Sequence, residues 1–406
     1  MKFDYLIIGS GIAGVSAAET LRKNNKDCSI CLISNEPHDP YSKVLLPFWL
    51  KGKVKHNQLF IRGNNFWQKN NINFIVGEAK ELSREEKKII LADGQEFLYK
   101  KLLIASGANA KKLNFSGIDL GGIFYFRNLD EAAKIKDYLQ KIKNDGIAPL
   151  PVIYGASFIA LEFAGLFAHF GIPAKIIFRG PYFWSRVLDE QGSRLIEKFL
   201  GEAGMELRAE EEILRVEEAS GKTLELYEVV TTKDVYKCNF LGLGTGLKPN
   251  LDFIRGAELK VNQGIITDEY LSTSDQDIFA AGDIAEFYDT IIERNHVLGN
   301  WLNSDMQGRC AAANMLGKKQ KFELVSFYSF TFDGYNGKGK FNICMIGDTN
   351  PKEPFKTEIK TEDNQYVQIF NKNNKCIGAV IINIPNLRSK IIENIKAGLG
   401  LHQLDI

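Results

Sequence analysis

The stretch CSIC, residues 28–31, places two cysteines two residues apart, a spacing shared by redox dithiols and by half of a zinc site. No second such pair exists to complete a metal centre. The apolar run that contains it, CSICLIS, reads as a buried strand. Residues three apart on a strand face opposite sides and lie about 10 Å from one another. A disulfide needs α-carbons closer than roughly 7 Å, so this pair is core packing. The five histidines, at 38, 56, 169, 296 and 402, show no ligand spacing, and no metal is expected.

Glycine-rich turns carry a stronger signal. YLIIG is a continuous apolar strand, and GSGIAG turns it into a helix. Gly9 makes the tight turn, Gly11 lets the backbone approach a pyrophosphate, and Gly14 allows close packing of helix on sheet. Ile12 and Ala13 open the helix, whose positive N-terminal end favours phosphate. The second strand ends near Glu36, where a carboxylate accepts hydrogen bonds from ribose hydroxyls. The same order of strand, turn, helix and strand recurs at 152–178, with Gly155 lying 146 residues after Gly9. Two such units in one chain suggest two nucleotides exchanging something between them.

A chain of 406 residues is long enough for about two or three domains. Its 45% hydrophobic and 25% charged composition is that of a folded protein, and a net charge of +1 gives no global field for nucleic acid. The apolar stretch 149–178 contains Glu162, His169 and Pro173, so it parses as strand, helix and strand rather than a membrane span. MKFDYLIIGSG runs from strand to glycines without the pattern of a signal peptide, and six irregularly spaced cysteines fit reduced thiols. A cytoplasmic protein is expected.

Further stretches extend the picture. YKKLLIASGANA (99–110) is a strand ending in a small-residue turn at Ala105, Ser106 and Gly107. LGLGTGLKPN (241–250) contains Gly246, and TSDQDIFAAGDIAEF (273–287) delivers Gly282 and Asp283 at the end of a strand. In this order the chain resembles the FAD-dependent pyridine nucleotide oxidoreductases, specifically the rubredoxin and ferredoxin reductase branch. The resemblance implies an α/β protein with two Rossmann-like dinucleotide-binding domains and a small α+β C-terminal interface domain. FAD would occupy a split domain, 1–112 plus 240–322, around an NAD(P)H domain at 113–239, with the interface domain at 323–406. It places Ala79, Asp283, Val297 and Trp301 beside the FAD, in addition to the residues of the first unit. SFYSFTFDGYNG (326–337) begins with strand-like alternation, and NLRSKIIENIKAGLG (386–400) reads as a closing helix.

The second fingerprint reads Gly155, Ser157, Ala160, with Phe158 and Ile159 between. A serine at the middle position narrows the approach of a pyrophosphate, although its hydroxyl is able to donate a hydrogen bond. The strand AKIIF ends in Arg179, where NAD-specific relatives carry an acid, and Arg186 follows seven residues later. Arginines there hold a 2′-phosphate by charge-assisted bonds, so NADPH is expected ahead of NADH.

Dithiol relatives carry their cysteines after the first FAD strand or inside the nicotinamide domain. The first location reads DPYSKVLLPFWLKG (39–52) and has no cysteine; single-cysteine relatives, such as coenzyme A disulfide reductases and NADH oxidases, carry theirs in a similar stretch, and that resemblance puts Val44 at the sulfur position. No cysteine lies between Cys31 and Cys238. Without a thiol relay the flavin itself must hand electrons on, to a small carrier such as rubredoxin or ferredoxin. Glu162 matches the glutamate that relatives hold near the isoalloxazine, and Lys43 is the candidate for its lysine partner, because alignment puts Phe48 at the usual lysine position. Lys318, Lys319, Lys321, Lys338 and Lys340 form a candidate docking patch for an acidic carrier, or a solvated loop. No nucleic acid or membrane partner is expected, and the chain is read as a monomer or homodimer. The alternatives are an NAD(P)H oxidase reducing oxygen, or a non-catalytic flavoprotein subunit or redox-sensing partner with a decayed nicotinamide site.

Overall fold

The computed structural model describes residues 1–63, 65–219, 226–349 and 356–400. The chain divides into two compact units, one of residues 1–42, 56–109 and 248–326, the other of residues 43–55, 110–247 and 327–406.

The first unit is built on a parallel sheet whose strands run in the order Ile72–Val76, Ile30–Ser34, Lys2–Ile8, Glu96–Ile104, Ile278–Ala280. A hairpin of Ala79–Ser83 and Lys88–Leu91 pairs antiparallel with the early part of Glu96–Ile104. Strand alternation sorts the side chains to two cores. Ile7, Leu32, Leu103 and Phe279, aligned across four strands, pack on one face with the small residues Ala13, Ala17 and Ala18 of the helix Ile12–Asn24. Leu6, Ile8, Cys31, Ile33, Leu102 and Ile104 fill the other face. Cys28 lies with the first core and Cys31 with the second, so the two cysteines of CSIC join opposite cores. The strand itself begins at Ile30, and Cys28 lies in the approach to it. Burial pushes the Cys31 thiol up to about 12.

The second unit has a parallel sheet in the order Met205–Arg208, Ala174–Ile177, Pro151–Tyr154, Phe240–Leu243, Ile123–Phe124. The apolar stretch 149–178 is accordingly strand, helix Phe158–His169 and strand. No helix among the described residues is long and apolar enough to cross a membrane. Phe163 of this helix is fully buried, with ring centroids 5.7 Å from Phe240 and 5.8 Å from Phe126. Phe163→Ala should therefore lower unfolding free energy by about 3–5 kcal/mol, read from denaturant melts.

The same unit holds a five-stranded antiparallel sheet in the order Phe327–Phe332, Phe341–Gly347, Lys375–Ile382, Gln365–Lys372, Lys356–Glu362. The alternation noted from 326 is the strand Phe327–Phe332, and the closing helix is Leu387–Ala397, stopped by left-handed Gly398 at φ 63°.

Candidate functional site

In the first unit, Gly9 holds φ 109°, and a β-carbon there would lie 2.2 Å from the Ala105 carbonyl oxygen. Only glycine lets these two strand ends approach so closely. Gly14 is equally constrained, because a β-carbon would meet the Gly9 carbonyl oxygen at 2.0 Å. Gly11 differs: it caps the helix Ile12–Asn24 without a side-chain hydrogen bond, and the space beyond its α-carbon is open to 4 Å. The first helical turn carries no acidic residue. An uncapped helix N-terminus facing open space is a cradle for a phosphate.

The remaining first-unit candidates lie on the adjoining loops. Glu36 follows its strand, with its backbone N–H on the Ser34 hydroxyl at 3.1 Å and its carboxylate accepting from the Tyr41 hydroxyl. Ala79 opens its hairpin strand, half-buried. Ser106 and Gly107 follow Ala105, with the Ser106 hydroxyl 3.4 Å from the Asn250 carbonyl and the Gly107 carbonyl accepting from the Asn250 N–H at 3.1 Å. Gly282 has φ 82°, and a β-carbon there would lie 3.2 Å from that of Ala13, at the head of the helix. Asp283 is next, half-buried, 3.5 Å from the Ser304 hydroxyl. Val297 precedes the helix Trp301–Met315, and Trp301 is that helix's first residue, half-buried, behind the cap Asn300. The donor set suits FAD: an uncapped helix N-terminus with open space beside Gly11 for a phosphate, and carboxylates for ribose and ribityl hydroxyls.

The second unit repeats the turn with one change of chemistry. Gly155 has φ 124°, and a β-carbon would lie 2.2 Å from the Gly244 carbonyl oxygen, matching Gly9 and Ala105. Ser157 stands where Gly11 stands in the first unit. Its hydroxyl caps the helix, accepting from the Ala160 N–H at 3.3 Å, and donates to the Gly244 carbonyl at 2.9 Å. The hydroxyl is thus committed to the protein's own backbone, whereas the sequence suggested a donor toward a pyrophosphate. One of the helix's first N–H groups is satisfied internally. Phe158 begins the helix, packed edge-on to Trp184 at 4.6 Å and Tyr328 at 4.3 Å, and Ile159 follows it. Arg179 and Arg186 are both exposed, on the segment after the strand Ala174–Ile177. Gly246, at φ 87°, is exposed with open space around it.

Glu162 sits one turn into this helix, half-buried, and burial raises its carboxyl to about 7, with Lys51 opposing that rise. Lys51 is 8% exposed, and burial lowers its ammonium while Glu162 supports it. A β-carbon at Gly165, three residues beyond Glu162, would lie 3.2 Å from the Lys51 Nζ. Among the described residues Glu162 forms no hydrogen bond and no ion pair within 4.0 Å, so its coupling to Lys51 is through space. Tyr328 is pushed up by burial, with the Glu162 charge adding to it. Lys43, the lysine singled out from the sequence, lies half-buried on the 3-10 turn Lys43–Leu45. Lys51 was missed because alignment directed attention to position 48. Its one sequence signal is a lysine at the end of the apolar helix Leu46–Leu50.

All six cysteines are free and buried, and Val44 is 45% exposed. The lysine run divides between the units: Lys318, Lys319 and Lys321 belong to the first, and Lys338 and Lys340 to the second. Lys318 donates to Asn24 at 2.6 Å, and Lys321 lies 3.5 Å from Glu269. His402 lies outside the described residues.

Residues 3–308 match the family described as pyridine nucleotide-disulphide oxidoreductase. An NADH-rubredoxin oxidoreductase of Clostridium acetobutylicum is 30% identical over 405 residues, covering 98% of this chain and 97% of that protein. An NADH oxidase of Methanocaldococcus jannaschii is 28% identical over 397 residues, covering 93% and 87%. The solved ferredoxin reductase of Rhodopseudomonas palustris aligns with a TM-score of 0.81 at 27% identity, covering 94% of this chain and 91% of that one.

Proposed function

The chain belongs to the pyridine nucleotide-disulphide oxidoreductase family and is an oxidoreductase, and from that premise we propose that it passes electrons from NAD(P)H through FAD to a small electron-carrier protein. The observation that carries this reading is the fate of the thiols: all six are buried, and Val44 stands where single-cysteine relatives carry their sulfur. With no thiolate to relay electrons, the acceptor must take them from the flavin. Bound FAD supplies a two-electron acceptor able to release electrons one at a time.

The chain's own residues would divide the work by unit. In the first, the N–H groups at the head of Ile12–Asn24 receive the pyrophosphate in the space beside Gly11, Glu36 accepts from ribose hydroxyls, and Asp283 accepts from the ribityl chain. In the second, the turn at Gly155 receives the nicotinamide dinucleotide. Glu162 holds or releases a proton near neutrality, and Lys51 supplies the compensating charge.

Arg179 and Arg186 support NADPH as the preferred donor. Arg179→Glu should move the preference toward NADH by about ten- to a hundredfold in kcat/KM, the loss of a charge-assisted phosphate bond. Anaerobic mixing of the oxidised protein with either donor in a stopped-flow instrument tests the whole reading. Bleaching of the flavin absorbance within seconds is expected, and none with either donor would end it. Rubredoxin, ferredoxin or oxygen, added separately to the reduced protein, then identifies the acceptor; fast reoxidation by oxygen alone would favour an oxidase.

A further inference from the structure

Residues 210–212 are three consecutive glutamates, far from Arg179 in sequence. The fold brings them back to it. The strands Ala174–Ile177 and Met205–Arg208 run parallel, and their pairing continues past both ends. The Phe178 N–H donates to the Arg208 carbonyl at 2.9 Å, and the Glu211 N–H to the Phe178 carbonyl at 3.0 Å. The Glu210 N–H then donates to the Gly180 carbonyl at 3.0 Å. Arg179 is therefore bracketed by two residues that are tied to the glutamate run.

The three carboxylates have different fates. Glu211 is 2% exposed and accepts from the hydroxyls of Thr231 and Tyr236. Glu210 lies 4.0 Å from Lys233. Glu212 is exposed, and among the described residues its side chain has no hydrogen bond and no ion pair, which is equally true of Arg179. Its backbone is fixed nonetheless, with the N–H on the Thr232 hydroxyl at 3.2 Å and the carbonyl accepting from the Thr232 N–H at 2.9 Å.

Both uncommitted charges act on one group, the hydroxyl of Tyr154, which also faces the Ile213 N–H. Burial raises that hydroxyl, the Glu212 carboxylate adds to the rise, and the Arg179 guanidinium opposes it. Tyr154 ends the strand Pro151–Tyr154 and precedes Gly155, so opposite charges flank the strand end that leads into the glycine turn. In a dinucleotide unit this is the side that receives the adenosine ribose.

We propose that Glu212 is a specificity-determining residue for the nicotinamide donor, its carboxylate accepting from the ribose 2′-hydroxyl of NADH and repelling the 2′-phosphate of NADPH. This rests on the reading that the second unit binds NAD(P)H. The acid missing from position 179 is thus supplied by a segment that arrives later in the chain. Arg179 and Glu212 pull in opposite directions, and the preference for NADPH is smaller than the arginines alone would set.

Calorimetric titration of the full-length protein with 5′-AMP and with adenosine 2′,5′-bisphosphate tests this without turnover. Glu212→Gln should raise the affinity for the bisphosphate relative to 5′-AMP by about three- to tenfold, the removal of one charge near a phosphate. The ratio of KM for NADH to KM for NADPH should rise in parallel, with the limiting rate of flavin reduction unchanged. Glu210→Gln removes the same charge one turn of chain away and should leave both ratios in place. A Glu212→Gln ratio within twofold of the native overturns the proposal, and so does an equal rise in Glu210→Gln, which would assign the effect to net charge. Should Glu212→Gln fail to fold, Glu212→Ser carries the same expectation and the same refutation. A native protein that binds neither nucleotide instead ends the nicotinamide reading of the second unit, and the proposal with it.

Discussion

Gly11→Ala is expected to give a folded protein that has lost FAD, and Gly14→Ala a protein that fails to fold stably. The two glycines lie three residues apart in one turn, yet they meet different surroundings. Beyond Gly11 a methyl group meets nothing within 4 Å, so the polypeptide tolerates it. The cost to the helix is limited to exchanging a glycine cap for a poorer alanine one, about 1 kcal/mol. If the proposed pyrophosphate reaches the helix N–H groups through that space, the methyl group stands in its way, and FAD affinity should fall at least a hundredfold. At Gly14 the added carbon would lie 2.0 Å from a backbone oxygen. Neither backbone yields cheaply, and the overpacking should cost about 3 kcal/mol or more. The ratio of flavin to protein absorbance after purification, set beside thermal melts, checks both. A Gly11→Ala protein with native flavin content would remove that cradle from the site.

The second large effect is a pH dependence centred on Glu162. Its carboxyl is raised from 4.5 to about 7 in the folded flavin-free chain, first by burial and against the pull of Lys51. The folded state therefore keeps a proton that the unfolded state has already released over this interval. The corresponding stability is fully present below pH 4.5 and is lost as pH rises through about 7. The interval corresponds to at most about 3 kcal/mol, less in practice because the carboxyl is half-buried and solvent screens it. Melting temperatures of flavin-free protein should fall from pH 5 to pH 8, and Glu162→Gln should flatten that slope. Lys51→Met removes the charge that favours the carboxylate, so the fall should move to higher pH. Lys43→Met should leave it in place. A slope unchanged by Glu162→Gln would assign the effect to other groups.

The parts of the protein most legible in sequence are those fixed by short-range chemistry. Strand, glycine turn and helix follow one another within about twenty residues at Gly9 and again at Gly155, and each turn has the form its glycines demand. The CSIC pair was partly legible: Cys28 and Cys31 do join opposite cores, but Cys28 lies before the strand that starts at Ile30, so alternation along a strand is not what separates them. The apolar stretch 149–178 resolved correctly because a glutamate, a proline and glycines interrupt it.

Three decisions belonged to tertiary structure. Ser157 is chemically able to donate to a ligand, but the arrival of Gly244 beside it, 87 residues later in the chain, commits its hydroxyl to a backbone carbonyl. Lys51 rather than Lys43 became the charge coupled to Glu162, since packing of the short helix Leu46–Leu50 buries the later lysine against the helix Phe158–His169. Gln307 opens the stretch QGRCAAANMLG, which in sequence resembles the family's small-residue helix after the flavin site, but only packing commits its side-chain oxygen to the Gly282 N–H. Sequence therefore determined which local shapes this chain forms, including its two strand, glycine turn and helix units. Which polar groups are spent on the protein and which are left for a ligand was decided only when distant segments packed, because hydrogen-bond satisfaction depends on neighbours in space.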